Sequence, residues 1–418
     1  MFKKVIKSIS LVLAVFLCVA IFTGCSQKVS NFSTEGVSSN GKIGAVKGEY
    51  IYYVNRITSD RTLTGSSVDP MGIYKSKIDG NGNLTGEAEL VYSALAGYAD
   101  GEIYVFGDYI YFSTPAQVTS ASATKLVKRV SFARVGIDGK HFEVLYTTET
   151  EGTPTYSYYK TNDCLYLVVY ENKTLYSINM KTLKNEVLAE EVQSVALSSS
   201  CGEGSGADTK IFYSLTPSEN FVTQSGQNIY SVNPDGSDNL IISAGSDVTL
   251  KQVSGGYLYY VLDKDLYRTS AVAGLGTGEK IYYTVPDSFT ILSDGTLLIK
   301  DTTNSMFRST GWINGELKYQ KVLASTDYDF LFENNGYAYF KYTKSGSKSD
   351  EQVISKISLT DTSAKLGKVT EEQAVKAGTF MNWEVIGNTL YYYTEEVQTT
   401  EDGKSLTYSV LKTLVLTK

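Results

Sequence analysis

The four-residue stretch Tyr50-Ile51-Tyr52-Tyr53 decides how this chain folds, because related stretches return seven more times. The matching positions lie roughly 40 to 60 residues apart, a period typical of arrays of small all-β units. The recurrence predicts the architecture but names no ligand and no reaction. The eight copies are Tyr50–Tyr53, Tyr109–Phe112, Cys164–Leu167, Lys210–Tyr213, Tyr257–Tyr260, Thr296–Ile299, Tyr337–Phe340 and Thr389–Tyr392.

Each unit has the pattern of a strand, a turn, a strand, a turn and a further strand. In the first unit, Gly48–Asn55 is a predicted strand with Tyr50, Tyr52 and Val54 on one face. Tyrosine suits such half-buried strands, because its ring packs inward while its hydroxyl reaches water or a neighbour. The later strands of this unit are predicted at Ile73–Ile78 and Leu90–Tyr92.

Short Asp-Gly and Asn-Gly pairs separate the predicted strands. Such pairs favour type I′ hairpin turns, where glycine adopts a positive φ without a Cβ clash. The pairs are Asp79-Gly80, Asp138-Gly139, Asp235-Gly236, Asn314-Gly315 and Asn335-Gly336.

Helical periodicity is nearly absent from the chain. One short helix is predicted from Thr370 to Ala377, where Thr370 and Gln373 form a capping box and Gly378 ends the helix. The C-terminal run Ser409–Leu416 is predicted to pair beside early strands and so to close a ring.

Three or four strands per unit, about eight units and no helical layer predict an all-β fold, a β-propeller of antiparallel blades. We expect eight blades. Seven is the alternative, because the unit at Thr296 lacks the tyrosines. Closure of the ring would remove exposed sheet edges, which a Tyr- and Val-rich sheet would otherwise present for aggregation.

The N-terminus is a predicted targeting segment. Lys3, Lys4 and Lys7 precede an apolar run that is shorter than a typical transmembrane helix. The segment ends in Gly24-Cys25 and resembles a bacterial lipobox, in which signal peptidase cuts before the cysteine and the thiol carries a diacylglycerol. It departs from the usual pattern at Phe22, where leucine is common; the alternative is an ordinary secretory signal with a chance cysteine.

The predicted organisation is therefore a removed lipoprotein signal peptide at 1–24, a lipid anchor and flexible tether at 25–44, and a β-propeller domain at 45–418. Acyl chains on Cys25 would hold the protein at the outer face of the cell membrane. Loss of the three N-terminal lysines moves the formal net charge from −7 to −10. This acidity argues against nucleic-acid binding, which depends on the neutralisation of phosphates by basic residues.

The repeats Ile73–Gly80 and Ile229–Gly236 resemble a family of tandem Tyr-rich repeats in exported proteins of Gram-positive, clostridia-like bacteria. The family is of unknown function, and it is distantly similar to YWTD and TolB-like propellers. The resemblance covers roughly Gly48 to Lys418 and is poorest over 286–326. It implies a propeller fold and an extracellular setting, but it supplies no catalytic residues.

Signatures of catalysis or metal binding are sparse. His141 is the sole histidine of the whole chain, and its place after Asp138-Gly139 predicts a solvated hairpin residue rather than a catalytic base. Cys164 and Cys201 lie in adjacent repeats, and their spacing leaves open whether they form a disulfide. No cofactor and no metal site is predicted.

Two loops resemble ligand loops only in part. The segment Asp79–Asn83 starts like a calcium loop, but Leu84 and Leu90 replace the glycine and glutamate that such a loop needs, so we predict a polar turn. The glycine-rich segments 202–206 and 274–280 neither open a helix nor end in Lys-Ser/Thr, and are predicted inter-strand loops.

Carboxylates and tryptophans leave a catalytic or sugar-binding alternative open. A glycosidase needs two carboxylates a few ångströms apart across a cleft, although turn capping is the simpler role for these aspartates. Trp312 and Trp383 could stack on cell-wall sugars or simply pack in the fold. The turn aspartates are Asp100, Asp108, Asp263, Asp265, Asp294, Asp327 and Asp329.

We therefore expect an extracytoplasmic, membrane-anchored lipoprotein whose propeller is a binding module at the cell envelope. Its ligand would be a protein, peptide or glycan held at the loop-rich rim or the channel mouth. The alternatives are an extracellular glycan hydrolase of propeller fold and a structural envelope protein without a small ligand. Ligand identity and oligomeric state are not predicted.

Overall fold

The computed structural model describes most of the chain from residue 43 onward. The described residues are 43–54, 72–93, 102–120, 123–161, 164–199, 201, 206–215, 227–245, 248–270, 278–282, 288–293, 295, 297–301, 306–313, 316–325, 328–343, 351–359, 370–376, 383–399, 403 and 405–416. Across these ranges the regular structure is β-strand, apart from a 3-10 turn at Gly206–Thr209. Within the same ranges, no helix has the length and apolar character to cross a bilayer.

The strands form eight antiparallel sheets, which we number as blades 1 to 8. Blades 1 to 4 contain β1 Gly44–Lys47, β2 Tyr50–Val54, β3 Ile73–Lys77, β4 Glu89–Tyr92; β5 Ile103–Phe106, β6 Tyr109–Ser120, β7 Ala123–Gly136, β8 Glu143–Thr147; β9 Thr155–Lys160, β10 Leu165–Glu171, β11 Thr174–Asn179, β12 Asn185–Ala189; β13 Val192–Ala196, β14 Ile211–Leu215, β15 Gln227–Val232 and β16 Leu240–Gly245. Blades 5 to 8 contain β17 Val248–Ser254, β18 Tyr257–Leu262, β19 Asp265–Ser270, β20 Glu279–Tyr282; β21 Ser288–Ile291, β22 Leu297–Asp301, β23 Met306–Ile313, β24 Glu316–Ser325; β25 Asp329–Asn334, β26 Tyr337–Thr343, β27 Glu351–Ser358, β28 Thr370–Lys376; β29 Trp383–Ile386, β30 Thr389–Thr399 and β31 Ser405–Val415.

Every sheet is a simple meander, in which each strand pairs with its neighbour along the chain. Seven sheets have four strands, and blade 8 has three in the part of the chain that the structure describes. The predicted all-β propeller is thus confirmed, with seven complete blades and one three-stranded sheet.

The last three residues of each recurring stretch lie on the second strand of their sheet. The second and fourth residues of the stretch pack against the preceding blade, and its third residue packs against the following blade. In blade 1, Ile51 and Tyr53 join a core with blade 8, whereas Tyr52 joins a core with blade 2. Both faces are buried, so the stretch is apolar throughout instead of alternating with polar residues. The predicted shared face of Tyr50, Tyr52 and Val54 is confirmed.

Blade 8 packs against blade 1 and completes the ring. Tyr391, Tyr393 and Leu411 share a buried cluster with Ile43 and Ile51. Because both faces of the sheets are covered in this way, the core consists of a series of layers between blades.

The closing contact also depends on polar groups. One carboxylate oxygen of Glu384, in β29, accepts the backbone N–H groups of Ile43 at 3.2 Å and Gly44 at 3.3 Å. The Tyr393 hydroxyl donates to the carbonyls of Ile43 at 3.3 Å and Val54 at 2.5 Å. Ile43 and Gly44, which the prediction assigned to the tether, therefore pack with the propeller.

The C-terminal run closes the ring in a different way from the prediction. It was expected to pair beside early strands, but β31 pairs with β30, in register from Thr389↔Val415 to Thr399↔Ser405. The long hairpin keeps the run in its own sheet. It reaches blade 1 through the side chain of Leu411.

The predicted type I′ turn is confirmed at Asn335-Gly336, where both residues have positive φ, of 50° and 76°. It is wrong for the Asp-Gly pairs. In Asp138-Gly139 only the glycine is left-handed, with φ of 79°. The N–H of Gly136 donates to the carbonyl of Lys140, so the turn is longer than a two-residue hairpin turn. Such longer hairpin loops end in one left-handed residue. Asn314-Gly315 lies outside the described residues.

The predicted helix from Thr370 to Ala377 is wrong. Residues Thr370–Lys376 form β28, which pairs with β27 from Lys356↔Thr370 to Glu351↔Lys376. The local capping pattern is overridden because the fourth position of this blade offers a complete ladder of backbone partners.

A cation lies over the first tyrosine of the motif in four blades. Lys75 lies 5.1 Å from the Tyr50 ring, and Arg134 lies 4.5 Å from the Tyr109 ring. The same pairing joins Arg268 to Tyr257 at 4.6 Å and Lys356 to Tyr337 at 4.8 Å. In blades 1, 2 and 5 the cation also meets a carboxylate directly opposite on the fourth strand. The motif thus supports a repeated arrangement of tyrosine, cation and acid.

Candidate functional site

A cleft opens where the connection from blade 2 to blade 3 meets the turn between β10 and β11. Residues 148, 150–155 and 170–173 line it, and its volume is about 340 Å³. Both segments lie at the same edge of the ring, because the strands of a meander turn at alternate edges. The volume is at the lower end of the range for small-molecule sites. We refer to it below as the blade 2–3 cleft.

The two walls of the cleft have shapes set by their backbone. On one side, Asn172 and Lys173 form a tight hairpin turn with φ of 46° and 62°, and the Lys173 carbonyl accepts the N–H of Val192 at 2.8 Å. On the other side, Gly152 has φ of 130°, a backbone conformation that residues with a Cβ rarely adopt. The walls are thus held by turn geometry.

The Glu171 carboxylate forms the floor of the cleft, and its residue is only 6% exposed. One oxygen accepts the Tyr146 hydroxyl at 2.8 Å and the Glu149 N–H at 3.1 Å. The other oxygen accepts the Thr150 N–H at 3.0 Å and its hydroxyl at 2.9 Å. These four donors stabilise the buried charge, and they fix the connecting loop to β10.

The negative charge of the floor acts on neighbouring tyrosines. Burial raises the pKa of Tyr146 well above its ordinary value, and the hydrogen bond and charge of Glu171 raise it further. Burial also raises the pKa of Tyr176, with added effects from Glu149, Glu171 and Glu190. Both phenols therefore remain protonated at neutral pH, and Tyr146 donates to Glu171.

The rim of the cleft carries exposed polar groups. Glu151, Thr153, Thr155 and Asn172 are exposed, and Lys173 lies 4.0 Å from Glu191. Hydroxyl and amide groups can each donate and accept. The Tyr170 hydroxyl instead donates to the Val192 carbonyl at 3.1 Å, so this residue offers its ring to the cleft.

The arrangement is suited to holding a ligand. An acid–base group must be able to exchange a proton with a bound substrate, whereas both oxygens of Glu171 are occupied by structural donors. The groups at the rim can hydrogen-bond a small polar molecule. Nothing in the prediction pointed to this cleft, although five threonines between 147 and 155 form an unusual cluster for a connecting loop.

His141 is exposed and has φ of 59°, directly after the turn at Gly139, as predicted for a hairpin residue. Cys164 and Cys201 are both buried, and no disulfide joins them. Trp383 packs against Phe332 with ring centroids 5.1 Å apart. Trp312 lies in β23, and its side chain is outside the described part of the chain.

The segment Asp79–Asn83 forms the predicted polar turn. Its Asp79 carboxylate accepts N–H groups of Asn81 and Asn83 and the Asn83 side-chain amide, at 2.8, 2.9 and 3.0 Å. The hydrogen bond that the Asn83 side-chain amide donates to Asp79 is the main reason why the pKa of Asp79 is lowered. Gly82, with φ of 86°, takes the left-handed position predicted for Gly80. The carbonyl of Gly82 accepts the Tyr391 hydroxyl at 2.8 Å, which makes the turn part of ring closure.

The turn aspartates that the structure describes are separate from the cleft. Asp108 pairs with Lys47 at 2.7 Å, and Asp265 pairs with Lys280 at 2.6 Å. Asp263 belongs to the turn between β18 and β19, and Asp329 is exposed at the start of β25. Several predicted features lie outside the described residues: Asp100, Asp294, Asp327, Cys25, segment 1–24 and most of the glycine-rich loops. Among the described residues, no group of three His, Cys, Asp or Glu side chains could hold a metal ion.

No protein-family model matches this chain, and no curated protein sequence matches it. Similar solved structures include an oligogalacturonate lyase in complex with manganese, at 11% identity and a TM-score of 0.40, covering 73% of this chain and 86% of that one. Apo AztD from Citrobacter koseri is 10% identical with a TM-score of 0.40, covering 82% and 92%. A TolB-type protein from Agrobacterium tumefaciens is 12% identical with a TM-score of 0.32, covering 66% and 95%. At such distances these proteins carry no information on the ligand or reaction of this chain.

Proposed function

We propose that the protein is a lipid-anchored binding protein of the cell envelope, and that the blade 2–3 cleft is its ligand site. The propeller provides the rigid frame, and acyl chains on Cys25 provide attachment to the outer face of the membrane. The observation that carries the binding role is the preformed cleft. Its floor, the Glu171 carboxylate, accepts four hydrogen bonds from the surrounding fold, while the groups at its rim are exposed.

Attachment depends on the sequence Gly24-Cys25 and can be tested separately from binding. Cells that express the full chain and are fed labelled palmitate should incorporate label into the protein and retain it in the membrane fraction. The Cys25→Ala variant should lose the label and leave the membrane. Retention of label by this variant would exclude Cys25 as the anchor.

Binding can be tested with a soluble digest of Gram-positive cell wall as the probe. The digest should raise the thermal midpoint of the lipidated protein in detergent, because a ligand that binds only the folded state stabilises it. Thr153→Trp places a large side chain at the rim and should abolish the shift. Thr85→Trp, at an exposed position of blade 1, is the matched control and should retain it. An equal shift in both variants would exclude the cleft.

A further inference from the structure

We propose that the blade 2–3 cleft takes an uncharged, hydroxyl-rich ligand the size of one or two sugar rings. This inference rests on the proposed function and names the ligand class of the same site. It is drawn from the volume of the cleft, the chemistry of its rim and the backbone groups that its floor already occupies.

The rim offers groups that match hydroxyls. Thr153 and Thr155 contribute hydroxyls and Asn172 an amide, and all three are exposed at the cleft. A ligand hydroxyl both donates and accepts a hydrogen bond, and so do the threonine hydroxyls and the asparagine amide. Several ligand hydroxyls can therefore be hydrogen-bonded at the rim without a charged partner. The ring of the half-buried Tyr170 adds apolar surface for the C–H groups of a sugar.

The electrostatic setting disfavours an anionic ligand. Glu151 and Lys173 are the charged residues at the rim, and Glu149, Glu190 and Glu191 lie in the surrounding segments. The chain as a whole carries a formal charge of −7. A negatively charged ligand would approach against this field. The carboxylate of Glu171 is buried and its two oxygens already accept four hydrogen bonds, so it presents no open oxygen to a bound ligand.

A peptide fits the cleft less well than a sugar. Peptides commonly bind by extending a sheet ladder or by inserting apolar anchors. Here the N–H groups of Glu149 and Thr150 are bonded to Glu171, and the Thr150 carbonyl accepts the Thr148 hydroxyl at 3.1 Å. The loop therefore offers no open ladder at these positions, and the volume of about 340 Å³ leaves little room for a large anchor.

The turn at Asn172 allows a substitution that removes one rim group without straining the backbone. Glycine tolerates the positive φ of 46° at this position, so Asn172→Gly removes the amide and preserves the turn. Asp263 occupies the equivalent turn of blade 5, with φ of 49°. Asp263→Gly is therefore a matched control for the backbone effect of the change.

The test uses the full lipidated protein in detergent and ligand-observed NMR titrations with four probes. These are cellobiose and N,N′-diacetylchitobiose as neutral disaccharides, gluconate as an anion and glycylalanine as a zwitterion. We expect saturable binding of a neutral disaccharide. We expect Asn172→Gly to weaken it about three- to tenfold, as for the loss of one hydrogen bond, and Thr153→Trp to abolish it. Asp263→Gly and Thr85→Trp should bind as the natural chain does.

Two results would overturn the inference while leaving the cleft as a ligand site. These are binding of glycylalanine or gluconate that Thr153→Trp abolishes, and a digest-induced midpoint shift that depends on Thr153 without binding of either disaccharide. Disaccharide binding that Thr153→Trp leaves unchanged would place the sugar elsewhere and also overturn it. If neither the probes nor the digest distinguish Thr153→Trp from its control, the proposed function itself fails.

Discussion

Blades 1 and 2 carry the same ion pair at the same place in the repeat, but in different surroundings. In blade 1, Lys75 meets Glu89 at 3.4 Å, with side chains 27% and 63% exposed. In blade 2, Arg134 meets Glu143 at 2.7 Å, with side chains 3% and 18% exposed. The register is equivalent, since each cation lies directly opposite its acid on the fourth strand.

The difference indicates that the contribution of this repeated ion pair to stability depends on how deeply the pair is buried. Exposed pairs contribute little, because water and salt screen both charges. Breaking a buried pair leaves one charge without compensation in a poorly solvated site. Arg134 donates from Nε at 3.0 Å and from Nη2 at 2.7 Å to one oxygen of Glu143, and it lies over the Tyr109 ring.

The largest expected effect follows from removing the acid of the buried pair. Glu143→Ala leaves the Arg134 guanidinium buried and should lower the free energy of unfolding by about 3 kcal/mol, near the lower limit for buried pairs because part of Glu143 is exposed. Urea denaturation measures the change. The double replacement Arg134→Met with Glu143→Leu is the control and should recover most of the loss. A loss under about 1 kcal/mol for Glu143→Ala would contradict the role of burial.

Blade 8 extends the comparison, because its third strand offers no cation at this position. Tyr391 lies opposite Thr413, and burial, together with the charge of Asp79, raises the pKa of Tyr391 to about 12. In blade 2, burial raises the pKa of Tyr111 while Arg134 lowers it in part. A raised phenol pKa means that the unfolded chain ionises first, near pH 10. The stabilisation is therefore complete below pH 10 and is lost as pH rises toward 12.

We accordingly expect unfolding free energy to fall between pH 10 and pH 12, with about 2–3 kcal/mol of the fall due to Tyr391. Urea denaturation at several pH values measures the slope. Tyr391→Phe should make the slope shallower, although it also removes the bond to Gly82 and lowers stability at pH 7. Tyr50→Phe, at a half-buried phenol of blade 1, is the control. A Tyr391→Phe slope equal to that of the natural chain would refute the assignment.

Blade 5 gives the intermediate case. Arg268 meets Glu279 at 2.9 Å, with side chains 14% and 39% exposed. Glu279→Ala should lower the unfolding free energy by about 1–2 kcal/mol, between the limits for exposed and buried pairs. Measured under the same conditions, the losses for blades 2, 5 and 1 should follow their burial. An effect in blade 5 larger than in blade 2 would break the series.

The repeat could be predicted from the sequence because its chemistry is local. The second strand of each blade is buried on both faces, and Tyr50–Tyr53 shows this as an unbroken apolar stretch. The last three residues of each of its seven relatives are likewise apolar. Thr370–Lys376 was misassigned because its capping pattern resembles a helix start, whereas the open fourth position of blade 7 decides its structure. The ion pairs were missed for a similar reason: sequence shows Lys75 and Arg134 but not which blade excludes water from them.

The cleft was less accessible to prediction because its walls come from segments about 20 residues apart. The threonines of 147–155 are visible in the sequence, but their loop takes its shape from Glu171, which accepts N–H groups of Glu149 and Thr150. A glutamate at the end of an apolar strand normally indicates a solvated residue. Only the fold shows that it is buried and that the loop encloses a cavity.

The smallest expected effect concerns the exposed pair of blade 1. Lys75→Ala should lower the unfolding free energy by about 0.5 kcal/mol at low salt, through loss of the Glu89 pair and of the contact with the Tyr50 ring. In 1 M NaCl, where the screening length is about 3 Å, the part due to Glu89 should vanish. Glu143→Ala should keep most of its effect in the same salt, because solvent ions cannot reach the buried Arg134. Equal salt dependence of the two variants would mean that the pairs share one environment, contrary to their difference in burial.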